Sequence, residues 1–365
     1  MDITPYLKLM VERDGSDLYF TANAQVNVKI NGITNPIGKA VLPPGTVKAI
    51  LPSILTEKQM AEFEEEMELD TAFNVDGIGR FRVNVFRQRG EEAMVIRQIK
   101  AQIPDFDSLL LPRVIKELIM EQRGLIIIAG ATGTGKSTTV ASMLDYRNQN
   151  RTGHILTIED PIEFMYEHKK SIVNQREVGL DTKSFDEALR RAMREAPDVI
   201  MIGEIRDAST MKMALSYADT GHLCIATLHA TNATQTMERI ISFFPEGTRG
   251  QLLMDMSLNL RAVIAQRLLI DKQGNMVPAT EVLLNEPQVK ALIRDGQTHK
   301  LKEVIEKAPE GSQLHSFDND ILRIFKAGLV TEEEALAHAD EPDHFKLKVR
   351  MGGGISSQPE DIYGV

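Results

Sequence analysis

A glycine-rich stretch near the middle of the chain constrains the fold more than any other feature. It reads LIIIAGATGTGKSTT over residues 125–139, so an apolar, β-branched run leads into glycines and then into residues that suit a helix. Residues 130–137 match the pattern G-x-x-x-x-G-K-[ST] at every fixed position. The glycines let the backbone curl so that successive N–H groups point into one hollow, with the positive end of the following helix behind it. The sequence therefore predicts a strand, a phosphate-binding loop and a helix, in that order.

This loop also predicts the ligand and the side chains that bind it. Lys136 is expected to reach the β- and γ-phosphates of a nucleoside triphosphate, and the Ser137 hydroxyl to ligate Mg²⁺. An ordinary glycine turn between a strand and a helix is the alternative, which the complete pattern in its expected context disfavours. The residues predicted to bind the nucleotide are Gly130, Ala131, Thr132, Gly133, Thr134, Gly135, Lys136, Ser137 and Thr138.

Composition narrows the class of protein. A chain of 365 residues with 42% apolar and 26% charged residues is typical of a soluble globular protein of two to three domains. The net charge of −10 argues against nucleic acid as the main partner. The single cysteine, Cys224, excludes a disulfide framework and a cysteine-cluster zinc site, and it suits a reducing cytoplasm. We find neither a signal peptide nor an apolar run near 18 residues, so we expect any membrane association to go through a partner.

Residues 1–100 are predicted to form a smaller α/β domain of their own. Alternating apolar residues indicate strands, and Thr56 with Gln59 forms a plausible capping box for a helix. Arg80, Arg82 and Arg97 fall on neighbouring predicted strands. They either belong to a solvated sheet face or reach a nucleotide on an adjacent subunit, and periodicity does not choose between these.

The rest of the chain is predicted to be a linker, an ATPase-type α/β domain and a tail. Residues 101–112 contain two prolines and two aspartates, which favours a linker. From 113 to 345, strands alternate with helices, which is typical of a mostly parallel sheet covered on both faces. Within this domain, residues 251–266 are expected to be helical and 277–284 to be a short strand. The glycine- and serine-rich residues 346–365 are expected to be a disordered tail.

Three carboxylates are candidates for orienting water or metal at the loop. Glu159 and Glu163 flank an Asp-Pro pair after one predicted strand, and Glu204 ends the next. Ligands of such sheets bind at the carboxyl ends of the strands, and phosphoryl transfer to water needs mainly positioning and charge. The alternative is that these are solvated strand ends. Gly203 stands where a P-loop ATPase usually has an aspartate beside the glutamate.

His222 and His229 bracket a further predicted strand. Seven residues apart across a strand, they are poorly placed to share a metal. A neutral histidine that hydrogen-bonds at the γ-phosphate or at a subunit boundary is the favoured interpretation, and a satisfied core histidine is the alternative.

Four stretches together resemble the secretion-type ATPases, and specifically the type IV pilus retraction ATPases of the PilT/PilU kind. They are GATGTGKSTT at 130–139, TIEDPIEF at 157–164, IMIGEIRD at 200–207 and TGHLCIATLHA at 220–230. In that family these are the Walker A loop, the Asp box, a Walker B motif with glycine before glutamate, and the His box. The resemblance covers nearly the whole chain and accounts for Gly203.

The resemblance implies a cytoplasmic homo-hexamer in which a PAS-like N-terminal domain precedes a RecA-like domain, with ATP and Mg²⁺ as cofactors. It implies that Glu163 is the general base and that Glu204 supports metal and water. It also implies that arginines assigned to the N-terminal domain contact phosphates, here Arg80 or Arg82, Arg97 and Arg123. The implied partner is an inner-membrane platform protein of the pilus machine, to which the ATPase attaches peripherally.

The tail and the segment VKALIRD at 289–295, which departs from the AIRNLIRE motif of PilT, favour the accessory PilU type. That type implies a PilT-type paralogue as a further partner. A regulatory or assembly subunit of a mixed ring is the second hypothesis. A nucleic-acid translocase is the third, and the acidic composition counts against it.

Overall fold

The computed structural model describes residues 1–30, 32–99, 102–309 and 312–351. These residues form two compact units. The first comprises Met1–Gln102 and the short segment Ile162–Met165, and the second comprises Ile103–Pro161 and the chain from Tyr166 onward. Glu163 therefore groups with the first unit, although its motif begins on a strand of the second.

The first unit is an antiparallel sheet with three helices, as expected of a PAS-like α/β domain. Its strand order, within the described residues, is β3-β2-β1-β6-β5-β4. The strands are β1 Asp17–Thr21, β2 Gln25–Ile30, β3 Ile33–Val41, β4 Glu68–Val75, β5 Gly79–Gln88 and β6 Glu91–Ile99. The helices are α1 Thr4–Glu12, α2 Thr46–Ile50 and α3 Glu57–Glu66.

Alternation along the central strands builds the core of this unit. Phe81, Val83 and Val85 on β5 are fully buried, while the residues between them are only partly buried. A period of two places alternate side chains on opposite sheet faces, so one face is the core and the other is polar. The predicted capping box is confirmed, because the Thr56 hydroxyl accepts from Gln59 N–H and the Gln59 side chain accepts from Thr56 N–H.

The second unit is a mostly parallel sheet of RecA-like type, as predicted. Its order is β13-β12-β7-β11-β10-β8-β9, and β13 alone in this described sheet runs antiparallel to its neighbour. The strands are β7 Gly124–Ala129, β8 Gly153–Glu159, β9 Ser171–Glu177, β10 Val199–Ile202, β11 Leu223–Leu228, β12 Leu260–Ile270 and β13 Met276–Leu284.

Helices cover both faces of this sheet. Leu125 and Ile127 of β7 point into one apolar cluster, whereas Ile126 and Ile128 point into another on the opposite face. The continuous apolar run of β7 is thus explained by burial on both sides. The helices are α4 Arg113–Ile119, α5 Lys136–Asn150, α6 Phe185–Ala192, α7 Ala208–Asp219, α8 Ala233–Ser242, α9 Glu246–Asn259, α10 Pro287–Arg294, α11 Leu301–Glu306, α12 Phe317–Lys326, α13 Glu332–His338 and α14 Pro342–Met351.

The structure differs from the sequence-based expectation in three segments. The predicted helix over 251–266 ends at Asn259, and β12 follows, because this apolar run fills the sheet position between β7 and β13. In the expected linker, Phe106 and Leu111 are buried, and a short 3₁₀ turn covers Phe106–Leu109. Helix α14 extends to Met351, into the segment that was expected to be tail, while residues 352–365 lie outside the described residues. No helix among the residues described is long and apolar enough to cross a membrane.

Candidate functional site

The glycine-rich loop joins the end of β7 to the first residue of α5. Gly133 and Gly135 have φ values of 79° and 83°, a left-handed conformation that disfavours side chains. At Gly130 a Cβ atom would lie 2.3 Å from the Thr134 hydroxyl oxygen, so a larger residue would displace the loop. The crest of the loop, at Ala131, Thr132 and Gly133, is exposed.

Lys136 is the first residue of α5, and its ammonium lies inside the hollow of this loop. The Nζ atom donates hydrogen bonds of 2.8 Å to the carbonyl oxygens of Gly130 and of Ala131, and the side chain is buried. A buried cation held by backbone carbonyls at a helix N-terminus concentrates positive potential where phosphates would bind. Ser137, next on the helix, is half-buried, and its hydroxyl is on the first turn beside the loop.

Gln266 lies on β12, the strand next to β7, and its side chain hydrogen-bonds to the glycine-rich loop. Its Nε2 donates to the Thr134 carbonyl oxygen at 2.8 Å, and its Oε1 accepts from the Thr139 hydroxyl at 2.8 Å. Both polar atoms of this buried side-chain amide are therefore hydrogen-bonded, the nitrogen to the loop and the oxygen to helix α5. A Cβ at Gly135 would lie 3.0 Å from Gln266 Nε2, which adds a second reason for glycine there.

Four charged or titratable side chains meet at the carboxyl ends of β8, β10 and β11. The Glu204 carboxylate has Oε2 2.9 Å from Arg206 Nε and Oε1 3.4 Å from His229 Nε2. The Arg206 guanidinium also donates to Asp160 Oδ2 at 3.1 Å. The hydrogen bond that Arg206 donates to Glu204 raises the pKa of Arg206, against a smaller lowering by burial. The parallel strands thus bring together residues from three of the four stretches, at 157–164, 200–207 and 220–230.

Glu159 is the last residue of β8, and it is buried, whereas Glu204 is half-buried. Its Oε1 accepts hydrogen bonds from the Thr157 hydroxyl at 2.6 Å and from Gln175 Nε2 at 3.2 Å, and the side chain is buried. Two donors from the sheet itself already occupy that oxygen. Glu204 is therefore better placed than Glu159 to meet water or a metal.

The backbones of β8 and β10 explain why glycine precedes Glu204. Gly203 N–H donates to the Ile158 carbonyl oxygen at 2.8 Å, and its carbonyl accepts from the Thr227 hydroxyl. A Cβ at Gly203 would lie 3.2 Å from both Glu159 Cα and Ile158 O, which are backbone atoms. An aspartate at this position would press against β8. The departure from the usual motif is a packing requirement of this sheet.

His222 and Arg123 lie at the opposite edge of the sheet from the loop. Strand β11 runs parallel to β7 in the register Leu223↔Gly124 to Leu228↔Ala129, so His222 precedes β11 where Arg123 precedes β7. Six strand residues separate this edge from the loop edge, which is roughly 20 Å. The His222 ring contacts the Thr220 hydroxyl at 3.1 Å and the Tyr217 carbonyl at 3.2 Å. Of the two predicted histidines, only His229 is at the loop edge of its own chain.

Arg123 also requires a correction, since it belongs to the second unit and not to the N-terminal domain. Its carbonyl oxygen accepts from Arg261 Nε at 3.0 Å, which fixes the backbone at the start of β7. The Arg123 side chain is exposed. Within one chain it lies at the wrong end of β7 to contact phosphates in the glycine-rich loop.

Arg80, Arg82 and Arg97 of the first unit share the polar face of its sheet. Arg82 on β5 is directly opposite Arg97 on β6, and Arg80 is two residues before Arg82 on the same face. Arg97 is paired with buried Asp17 at 2.8 Å, and Arg82 Nη2 lies 3.7 Å from Asp70.

Glu163, the predicted general base, has an exposed side chain.

Comparison with known proteins identifies the family. The family described as "Type II/IV secretion system protein" matches residues 7–315. The chain belongs to this family. The Pseudomonas aeruginosa type IV pilus ATPase PilU is 47% identical over 353 residues, which is 96% of this chain and 92% of that protein. The type IV pilus retraction ATPase PilT of the same organism is 39% identical, over 94% of this chain and all of that protein.

A solved structure agrees with the family assignment. The pilus retraction motor PilT with bound ADP has a TM-score of 0.88 and 41% identity, covering 95% of this chain and 99% of that chain. Within the secretion family, this chain thus belongs with the type IV pilus retraction ATPases, and it is a nucleotide-binding ATPase. The glycine-rich loop at 130–137 and the Glu204 cluster lie at the same sheet edge.

Sequence reasoning missed two residues of this secretion ATPase site. Arg206 follows Glu204 by two positions, so a basic residue next to a strand-end carboxylate was the available signal. Gln266 is a polar residue within an apolar run, and recognising that run as a buried strand would have marked its amide as needing partners.

Proposed function

We propose that this chain is an accessory, PilU-type subunit of a type IV pilus retraction motor, working as a cytoplasmic homo-hexamer that couples ATP hydrolysis to movement. The observation that carries the proposal is the juxtaposition of the phosphate-loop lysine with the Glu204–Arg206–His229 cluster at one sheet edge. The 47% identity to PilU, against 39% to PilT, supports the accessory type.

Mg²⁺ is the metal proposed to accompany ATP, and the residues present fit it. Ser137 on the first turn of α5 and Glu204 at the end of β10 supply oxygen atoms, which are the ligands that Mg²⁺ prefers. Both Glu204 oxygens lie near cationic or imidazole groups, which favours contact with the metal through water. When bound, Mg²⁺ would neutralise charge on the phosphates.

The other roles in ATP binding and hydrolysis are proposed for side chains and backbone groups of this chain. Lys136 and the loop N–H groups bind the β- and γ-phosphates, and Gln266 keeps the loop in shape. Glu163 is proposed as the general base that orients the attacking water. Glu204 and His229 are proposed to act at the γ-phosphate. The three hydrogen-bond and charge contacts of Glu204 and Arg206 would hold these groups in place, which is most of what phosphoryl transfer requires.

Arginines of a neighbouring subunit are proposed to complete the site. Arg123 and His222 lie roughly 20 Å from the loop of their own chain, measured along six-residue strands, so phosphates they contact must belong to another chain. Arg80, Arg82 and Arg97 would contribute from the polar face of the first unit. A site built from two chains makes hydrolysis sensitive to their arrangement, which a motor needs.

The partners follow from this role. A membrane-embedded platform protein at the base of the pilus would receive the motion, and the ATPase would associate with the inner membrane only through it. A PilT-type paralogue is the expected companion. The net charge of −10 argues against nucleic acid as a partner.

Two variants test the proposal in the purified protein and in twitching cells. Lys136→Ala should abolish ATP turnover because the phosphates lose their buried cation. Glu163→Gln should bind ATP without hydrolysing it. Twitching should be lost in both strains, while pili should still be assembled. Normal turnover in Glu163→Gln would transfer the general-base role to Glu204 or Glu159, and normal twitching with Lys136→Ala would contradict the retraction function.

A second candidate is a regulatory or assembly subunit whose nucleotide holds a mixed ring together. It is favoured by the resemblance to PilU over PilT. The deciding measurement is ATPase activity against oligomeric state, alone and with a PilT-type paralogue. Turnover that appears only in the mixture, and that survives Glu163→Gln in this chain, would support the regulatory function, because that variant is expected to keep its bound ATP.

A further inference from the structure

A buried carboxylate on β13 contacts the segment that carries His229. Glu281 lies in the middle of β13, opposite Ala265 of β12, and its side chain is 6% exposed. Its Oε1 accepts a hydrogen bond of 2.7 Å from the backbone N–H of Ala233, the first residue of α8. The first N–H groups of a helix have no partner within the helix, so Glu281 satisfies one from a distant strand.

The segment between β11 and α8 is held by a second set of contacts. Asn232 is the N-cap of α8, and its Oδ1 accepts from Gln235 N–H at 2.8 Å. The Gln235 side chain in turn accepts from the N–H and the hydroxyl of Thr231. Local capping therefore fixes the shape of this turn, whereas Glu281 fixes its place relative to the sheet.

His229 is the residue that this segment presents to the site. It follows directly on β11, and its Nε2 lies 3.4 Å from Glu204 Oε1. Only three residues separate His229 from Ala233, so a shift of the α8 N-terminus moves the histidine relative to Glu204. Glu281 itself touches neither the phosphate loop nor Glu204 in the described contacts.

The charges that act on Glu281 come from Arg267 on β12, Glu306 on α11 and Asp340 between α13 and α14. Burial raises the pKa of Glu281 to about 7, the Ala233 N–H lowers it, Asp340 raises it, Arg267 lowers it and Glu306 raises it. Arg267 on β12 is itself bonded to Asp340 at 2.7 Å, and Glu306 on α11 lies 3.3 Å from Lys302. All three of these charged neighbours are thus paired, Arg267 with Asp340 and Glu306 with Lys302.

We propose that Glu281 is a positioning residue of the ATPase, whose carboxylate sets the N-terminus of α8 and so keeps His229 within reach of Glu204. The inference rests on the proposed role of His229 beside the γ-phosphate. A charged carboxylate makes a stronger hydrogen bond to N–H than a neutral group and is favoured at a helix N-terminus. The carboxylate form predominates above pH 7 and is lost as the pH falls below it, so positioning weakens in acid.

Two variants and a matched control separate positioning from folding. Glu281→Ala removes the acceptor, and Glu281→Gln keeps a neutral acceptor of the same size. Glu303→Gln neutralises an exposed carboxylate on α11 and serves as the control. At pH 8 we expect kcat to fall about tenfold in Glu281→Ala and about two- to threefold in Glu281→Gln, with KM for ATP changed less than about twofold. The ratio of wild-type kcat to Glu281→Gln kcat should approach one near pH 6.

Hydrogen–deuterium exchange provides a readout that does not depend on activity. Glu281→Ala should speed exchange in the peptide over residues 229–236, and Glu303→Gln should leave it unchanged. Unchanged exchange in Glu281→Ala, or a pH-independent kcat ratio, overturns the positioning role. If exchange rises but neither Glu281→Ala nor His229→Ala lowers kcat, the role given to His229 in the proposed function fails, and the kinetic part of this inference fails with it.

Discussion

The Nε atom of Arg206 lies 2.9 Å from Oε2 of Glu204, so the carboxylate that follows β10 is held by a cation from its own loop. The same guanidinium reaches Asp160 at 3.1 Å and thus joins the ends of β8 and β10. Arg206 remains about half exposed, so the pair costs little desolvation. Its main effect is to fix the direction of the Glu204 carboxylate before a nucleotide arrives.

Replacing Arg206 by glutamine should therefore slow hydrolysis more than it weakens binding. We expect kcat to fall about tenfold, equivalent to about 1.4 kcal/mol of transition-state stabilisation, because Glu204 loses its orientation. ATP affinity should change little, since the phosphate loop is untouched. Steady-state kinetics and nucleotide binding measure the two effects. Arg191→Gln, which breaks an exposed pair with Glu187 on α6, is the control, and an unaltered kcat in Arg206→Gln would refute the orienting role.

Removing the Gln266 amide should loosen the phosphate loop. Gln266→Ala leaves the Thr134 carbonyl and the Thr139 hydroxyl without their partner, at a cost of about 1–3 kcal/mol in folding free energy. We expect the Kd for ATP to rise about tenfold because the loop must be ordered on binding. Fluorescent-nucleotide titration and urea unfolding test the two expectations. Gln251→Ala removes an exposed amide on α9 that bonds only Asp255 in the described contacts, and it should change neither quantity.

Gly203 should resist replacement by the aspartate that is usual in P-loop ATPases. A Cβ there meets backbone atoms of β8 at 3.2 Å, so even Gly203→Ala should lower the free energy of unfolding by about 1–3 kcal/mol. Gly203→Asp should cost more, since it adds a charge at the crowded strand end. Gly250→Ala, in open space on α9, should instead stabilise the protein by about 0.5–1 kcal/mol. A stable, active Gly203→Asp protein would disprove the packing explanation.

Mixing two inactive variants tests whether Arg123 serves a neighbouring chain. Arg123→Ala and Lys136→Ala should each be nearly inactive alone. In mixed oligomers, a Lys136→Ala chain offers an intact Arg123 to the intact loop of an Arg123→Ala chain, so part of the ATPase activity should return. Arg190→Ala, an exposed arginine on α6, should have normal activity by itself. Mixed oligomers that form but stay inactive would show that Arg123 does not act between chains.

Much of the second unit was predictable because its signals are local. The glycine-rich loop and the strands that became β7, β8, β10 and β11 each show within one segment what they form. The prediction was wrong at β12, where an apolar run without clear alternation is compatible with helix or strand. Its pairing with β7 and β13, far away in the chain, decided the matter.

The candidate chemical groups of this protein could be predicted from the sequence: a glycine-rich loop with Lys136 and Ser137, strand-end carboxylates and two histidines. These follow from residue types at fixed spacing, which local backbone geometry imposes. Which of these groups meet depends on the tertiary structure. Glu204 contacts both His229 and Arg206, whereas His222 and Arg123 lie at the opposite edge of the sheet from the glycine-rich loop. The packing of Gly203 against the backbone of β8 requires glycine at that position. These contacts depend on strand order and register. Strand order and register arise from pairing between segments that are distant in the chain, so no single segment of the sequence shows them.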